Sequence, residues 1–255
     1  MFNKYIKSKL FLTLVAFSFS FSAFAQEVEE VVVTATKKEE STQDIAVSMT
    51  AITADQLAAD QIYDISDLAE VVPGFETAKG VGSGSGFVLR GIGSYGVGAA
   101  VVSSIVTSIN GHSTNPSWFV ETGLLDIERI EVLQGPQGTK FGRNSVQGVI
   151  NLVTKRPTDE FEGYVNVEAG SYDRKLVTGA INMPFSDSVR GRLAFGSNTR
   201  KGMVENVATG NLMDDRNDAS VRLSLDWDIN DTTELRFTYS GQKEDDNRPQ
   251  EETSY

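Results

Sequence analysis

The 255-residue chain carries 23 Lys and Arg against 35 Asp and Glu, a formal net charge of -12, and has no cysteine. Disulfides and thiolate metal sites are excluded, and so acidic a chain is a poor partner for nucleic acid, whose phosphates require Lys and Arg. With 40% apolar and 23% charged residues it has material for one or two folded domains.

The first 25 residues read as an export signal. Lys4, Lys7 and Lys9 form a positive start, Leu10 to Phe21 an apolar stretch, and Ala23-Phe24-Ala25 a small-x-small cleavage site before Gln26. No later stretch approaches ~18 apolar residues, so no membrane-spanning helix is expected. Residues 26 to about 45 form a polar tail interrupted by Glu30-Val31-Val32-Val33-Thr34-Ala35. This β-branched run is too short to fold alone. It reads as a strand that adds to the open sheet edge of another protein, where backbone hydrogen bonds supply affinity. The alternative is a first strand of the chain's own domain.

Val47 to Ile52 alternates at strand period, and Thr53 reads as the N-cap of a short helix through Ala58. A second helix is expected from Ser66, with Asp67 in its first turn, ending at Pro73-Gly74. The glycine-rich residues 80–86 read as a loop and Phe87 to Arg90 as a buried strand. Val101 to Ile109 is a further β-branched strand closed by the turn signal Asn110-Gly111. Ser113 to Ser117 reads as an exposed loop, Leu124 to Ile127 as one helical turn, and Ile130 to Leu133 as a strand. A tight turn at 134–138 and a last strand, Val146 to Val153, complete an α+β domain.

From about Glu160 the texture changes to longer segments with one apolar and one polar face. Val189, Gly191, Leu193 and Phe195 oppose Arg190, Arg192, Ala194 and Gly196. Val221, Leu223, Leu225 and Trp227 oppose Arg222, Ser224, Asp226 and Asp228. Leu235, Phe237 and Tyr239 oppose Arg236, Thr238 and Ser240. Glu162 to Gly170 and Lys175 to Met183 are weaker versions. Short connections at 184–187 and 230–231 and a long polar one over 202–217 complete the pattern of a transmembrane β-barrel. A soluble sandwich with one wet face shows the same alternation; the export signal favours the barrel.

Catalytic motifs are weak. Gly91-Ile92-Gly93-Ser94-Tyr95-Gly96 fits G-x-G-x-x-G, but no helix start or suitably spaced acid follows. His112 is the only histidine and cannot build a His-based zinc site. Residues 82–86 place glycine where a G-x-S-x-G nucleophile would stand. No enzyme site and no cofactor is expected.

The stretch Ile127 to Arg143 (IERIEVLQGPQGTKFGR), continuing into Gly148 to Pro157, resembles the plug signature of TonB-dependent outer-membrane receptors. Phe87 to Gly93 resembles the plug strand before an apical loop of that family, and Glu30 to Ala35 resembles its TonB box. The resemblance implies a signal peptide at 1–25, a flexible tail at 26–45, a plug at 46–158 and the first barrel strands at 159–255. It implies import of a scarce ligand such as a ferric siderophore or cobalamin across a Gram-negative outer membrane. The implied partners are the TonB C-terminal domain, through Glu30, Val31, Val32, Val33, Thr34 and Ala35, the extracellular ligand, and outer-membrane lipid. Tyr95, His112, Asn115 and Trp118, in two plug loops, are the expected ligand contacts. Arg129, Glu131 and Arg143 are expected in polar plug–barrel contacts, with pairing inside the plug as the alternative. Ser108-Ile109-Asn110-Gly111 departs from the family's Val-Asp-Gly at this point. Five strands are also far fewer than the ~22 of a plugged transporter, and an open edge in lipid is intolerable. The sequence is therefore expected to be the N-terminal part of a longer receptor, unable alone to close a pore. A soluble periplasmic plug-like module is the competing expectation.

Overall fold

The computed structural model describes residues 32–33, 40–41, 47–79, 85–93, 104–114 and 124–247. The export signal and Glu30, Val31, Thr34, Ala35, Tyr95, Asn115 and Trp118 lie outside these residues. The valine run has a partner within the chain. Strand β1 (Val32–Val33) pairs antiparallel with β2 (Glu40–Ser41), Val32 opposite Ser41 and Val33 opposite Glu40, and Val33 is buried.

In β3 (Met49–Thr53) the last residue caps α1 (Ala54–Ala59). The Thr53 hydroxyl accepts from the Gln56 amide at 3.4 Å and the Gln56 side chain accepts from the Thr53 amide at 3.0 Å. Together they make a capping box. The helix expected from Ser66 is a 3-10 helix, η1 (Ile65–Glu70), capped by Asp64. Asp64 accepts from the Ser66 amide at 2.6 Å, while Asp67 reaches back to the amides of Tyr63 and Asp64. Two acids bound to backbone donors hold the tight turn.

A small antiparallel sheet follows: β4 (Phe75–Lys79), β5 (Ser85–Leu89) and β6 (Ile92–Gly93). Strand β7 (Ile105–Ile109) turns at Asn110-Gly111, both at positive φ, into β8 (His112–Thr114). Ser113 and Thr114 therefore belong to a hairpin and not to the expected loop: residues at positive φ match the twist of paired strands. The expected helical turn at Leu124 is also absent. Leu125 and Asp126 form a turn and Ile127 opens β9 (Ile127–Gln134). One turn of helix not expected from the sequence, α2 (Gly138–Phe141), starts at the last residue of the expected 134–138 turn, and β10 (Gly148–Thr154) closes the plug.

The main plug sheet runs β3-β9-β10-β7-β8, with β7 and β10 parallel and the other pairs antiparallel. All seven residues of β10 are buried. Ile130, Val132 and Ile150 share one core cluster with Leu57, Ile65 and Leu68 from the helical side. A Cβ at Gly148 would stand 2.3 Å from the Leu133 carbonyl oxygen, so the close β9–β10 approach requires glycine there.

The C-terminal half is an antiparallel wall: β11 (Glu162–Gly170), β12 (Arg174–Ser186), β13 (Val189–Arg200), β16 (Arg216–Asn230) and β17 (Thr233–Glu244), in that order. A small hairpin, β14 (Val204–Glu205) with β15 (Leu212–Met213), lies in the long connection after β13. The five strands are those expected from the alternation. Among the described residues β17 and β11 do not pair, so the wall stays open. Even-numbered residues face the plug, as when Tyr164, Ala180 and Ala194 pack on Leu125. Odd-numbered ones face away, and Val165, Leu223, Leu235 and Phe237 are exposed.

Candidate functional site

The plug meets the even-numbered face of the wall along a polar seam fixed at three levels. The middle level is the most buried. Two of the three Arg192 side-chain nitrogens, Nε and Nη2, donate to the Asp126 carboxylate at 2.7 Å, with the two side chains 6% and 2% exposed. Tyr164 donates to the same carboxylate at 3.1 Å, and Arg222 donates to the Leu125 carbonyl at 2.6 Å. Asp126 adopts a left-handed φ of 49°. Asn and Asp tolerate this better than most residues, and it turns the carboxylate out of the chain's path and into the wall. Breaking such a buried pair by removing one partner strands a charge in low dielectric.

At the end of the wall carrying the long connection, the Tyr63 hydroxyl donates to Glu168 at 2.8 Å. Arg174 lies 4.1 Å above the Tyr63 ring, a cation–π distance. Arg216 stands 3.6 Å from Asp64. Burial, and next the bond to Glu168, push the Tyr63 phenol above its ordinary range. At the opposite end the plug's exit, Lys155 to Thr158, is stapled down. Arg156 reaches the buried Asp226 at 2.8 Å and also pairs with Glu234, and Arg236 shares Asp226 at 3.2 Å. The amide of Thr158 donates to Asn182 at 2.9 Å, and Arg190 bridges Asp159 and Asp228.

Two cavities flank this seam. One, of about 390 Å³, lies between α1 with Tyr63 and the polar residues Asn166, Ser197, Asn198, Asp218 and Ser220 of the wall. The other, of about 520 Å³, lies between the β7–β8 turn, the plug's exit and Ser224, Arg236 and Thr238. Both are within the size range of small-ligand sites.

His112 is exposed and lines the second cavity, at the end of the plug sheet that holds the crossover to the wall. Arg129 and Glu131 pair with each other at 2.8 Å inside the plug, and Arg129 also pairs with Glu128. Glu131 further accepts from Asn151 at 2.9 Å, and Asn151 accepts from Ser108 at 2.8 Å and from the Gly111 amide. The side chains thus tie β9, β10 and β7 together within the sheet. Asn110, in place of the family's acid, binds the Thr154 amide at 3.0 Å. Arg143 is exposed in the β9–β10 connection, at the far end of the sheet from the seam. The residues that do join plug to wall, Tyr63, Asp64, Asp126 and Arg156, were not singled out from sequence. Their wall partners were visible only as charges on the polar face of alternating strands.

A plug seated on the polar face of an antiparallel wall, with an apolar face behind it, defines the plugged outer-membrane β-barrels. Residues 41–149 match the family described as TonB-dependent Receptor Plug Domain. The iron-regulated outer membrane virulence protein of Vibrio cholerae is 30% identical over 185 residues, 67% of this chain and 28% of that protein. The vitamin B12 transporter BtuB of Vibrio vulnificus is 30% identical over 193 residues, 73% of this chain and 31% of that protein. The ferric yersiniabactin uptake receptor FyuA from Yersinia pestis superposes with a TM-score of 0.69 at 24% identity, over 77% of this chain and 31% of that structure; it speaks for the fold. The chain belongs to the TonB-dependent receptors. It spans less than a third of the length of these relatives.

Proposed function

We propose that the chain supplies the tether, the plug and the first strands of an energised importer in a Gram-negative outer membrane. The observation that carries this is the seating of the plug on the polar face of a wall whose other face is apolar and exposed. A bilayer satisfies that outer face, and a lumen holds the plug. The cargo is a scarce ligand such as a ferric siderophore; FyuA and the Vibrio cholerae protein carry iron in their names. Tyr95, His112, Asn115 and Trp118 are its proposed contacts. Arg143, at the end of the plug facing away from the five strands, is a proposed contact to further barrel wall, with Arg129 and Glu131 bracing the sheet behind it.

The outer membrane has no energy source of its own, so force must arrive through a partner. The TonB C-terminal domain adds a strand to residues 30–35. Among the described residues Glu40–Ser41 takes one edge of Val32–Val33, and the other edge is the proposed place for the partner. Tension on the tether parts the short β1–β2 pair and then reaches β3. This five-residue edge strand pairs with β9 alone, so its pairs break one at a time. The segment next in line, α1 to Tyr63, lines the 390 Å³ cavity, and its withdrawal opens that cavity along the polar face of the wall.

The chain has no cysteine, so a single introduced thiol reports one position. In cells carrying the receptor, Val31→Cys, Val33→Cys and Ala35→Cys are expected to form disulfides with a cysteine in the TonB C-terminal domain. Adding Val32→Pro, which removes a strand donor, is expected to abolish the product at unchanged receptor level. Absence of cross-linking at all three positions sinks the tether assignment.

A further inference from the structure

Asn110-Gly111 is the only Asn-Gly pair in the sequence. Its chemistry is that of a side chain beside a nucleophile: the Gly111 nitrogen can close a small ring on the Asn110 carboxamide carbon, and glycine puts no Cβ in the way. In the plug the pair forms the turn between β7 and β8, with φ of 51° and 77°. Bonds to β10 fix both reacting groups. The Gly111 amide donates to Asn151 Oδ1 at 2.9 Å. Asn110 Oδ1 accepts from the Thr154 amide at 3.0 Å, and its Nδ2 donates to Thr154 Oγ1 at 3.0 Å. The Asn110 amide itself donates to the Leu152 carbonyl at 2.8 Å. These anchors are buried, Asn151 at 0% and Thr154 at 5% exposure, and Asn151 is held in turn by Ser108 and Glu131. Asn110 is exposed. Water therefore reaches the turn, and what the closed plug withholds is freedom of the two groups to meet.

We infer that Asn110 is a self-modification site, held unreactive by the closed plug and released when β7 and β10 separate. Once free, the Gly111 nitrogen bonds to Asn110 Cγ. The bond from Cγ to the carboxamide nitrogen breaks, and that nitrogen leaves as ammonia, taking the proton that the backbone nitrogen gives up. Water then opens the cyclic imide at one of its two carbonyls, with no change of oxidation state. Opening at one carbonyl leaves aspartate at position 110; opening at the other leaves an isoaspartyl link. The two products differ in their fit to the turn. An aspartate oxygen still accepts from the Thr154 amide, and the Thr154 hydroxyl rotates to donate to it. The isoaspartyl link runs the main chain through the side chain and lengthens the turn, so Ile109 and His112 lose their pairing and Gly111 loses Asn151. One product reseats in the plug and the other does not. The protection needs only the plug's own bonds and does not depend on the membrane reading of the wall.

The test incubates the receptor with its complete barrel in mildly alkaline buffer, folded and urea-unfolded, and follows residue 110 by peptide mass and by isoaspartyl methyltransferase labelling. Conversion in the folded receptor is expected to be at least about tenfold slower, because it proceeds only from the opened fraction. Equal rates overturn the inference. Thr154→Val removes one anchor and should raise the folded rate about fivefold with the unfolded rate unchanged, whereas Thr154→Ser should stay at the parent's folded rate. A folded rate untouched by Thr154→Val overturns the pinning by β10. Gly111→Ala, followed in the unfolded chain so that folding is not at issue, should slow conversion; an unchanged rate there would mean direct hydrolysis of the carboxamide and would sink the ring-closing step. Asn110→Asp should unfold at the parent's urea midpoint, and a clear drop in that midpoint overturns the reseating of the aspartate product.

Discussion

Strands β10 and β16 use similar apolar residues to opposite ends. In β10, GVINLVT, every residue is buried, because the helical side covers one face of the sheet and the second core cluster the other. In β16 the pattern alternates, with Asp226 buried against arginines on one face and Trp227 43% exposed on the other. The plug finds its apolar environment within the chain. The wall finds only half of its own, since the plug covers the polar face with ion pairs and leaves the hydrophobic face to something else. A soluble sandwich would reverse this, placing its hydrophobic face inward.

The largest expected effect is at the joint between the two regions. Arg192→Met leaves Asp126 buried with Tyr164 as its remaining side-chain donor, and should cost about 3 to 5 kcal/mol in reversible denaturation of the receptor. Adding Asp126→Leu should recover most of that, because the stranded charge goes with it. A single-variant cost under about 1 kcal/mol would mean that plug and wall are not coupled at this level.

Next in size is a charge on the outward face. Leu223 lies mid-strand, between Leu193 and Tyr239, and is 43% exposed. Leu223→Arg should destabilise the bilayer-inserted receptor by about 2 to 4 kcal/mol. In a water-facing sheet the same change would stay within about 0.5 kcal/mol. Equal, small costs in vesicles and in detergent-free buffer would return the wall to the sandwich reading.

Periodicity made the two regions legible before any geometry was known. The five long strands and their faces follow from period-2 alternation, and Thr53 announces itself as an N-cap. What could not be read was set by partners distant in the chain. Asp126 sits in Leu-Leu-Asp-Ile, which scans as a helical turn. It becomes a left-handed corner because Arg192 and Tyr164, far along the chain, hold its carboxylate. For Arg129 and Glu131 the sequence left barrel contact and pairing inside the plug both open; two residues apart on one strand they share a face and pair there. The valine run was legible as a strand but not as half of a hairpin, since Glu40–Ser41 carries no strand signal of its own.

The smallest effect separates the clamp at Tyr63 from the buried latch at Asp126. Tyr63 is half-buried and its partners Glu168 and Arg174 are partly solvated, so Tyr63→Phe should cost only about 1 kcal/mol near neutral pH. Its pH signature is more diagnostic than its size. The folded-state phenol is raised above its ordinary value by burial and then by Glu168, which favours the neutral form. That contribution is complete below the unfolded value of about 10. It is lost as pH rises through the folded value, because a phenolate cannot donate to Glu168 and is repelled by it. The difference in denaturation midpoint between parent and Tyr63→Phe should therefore be flat from pH 7 to about 10 and shrink above that. A difference that grew in alkali would mean that Arg174, stacked on the ring, stabilises the phenolate more than Glu168 opposes it, and the clamp would then be held by the cation alone.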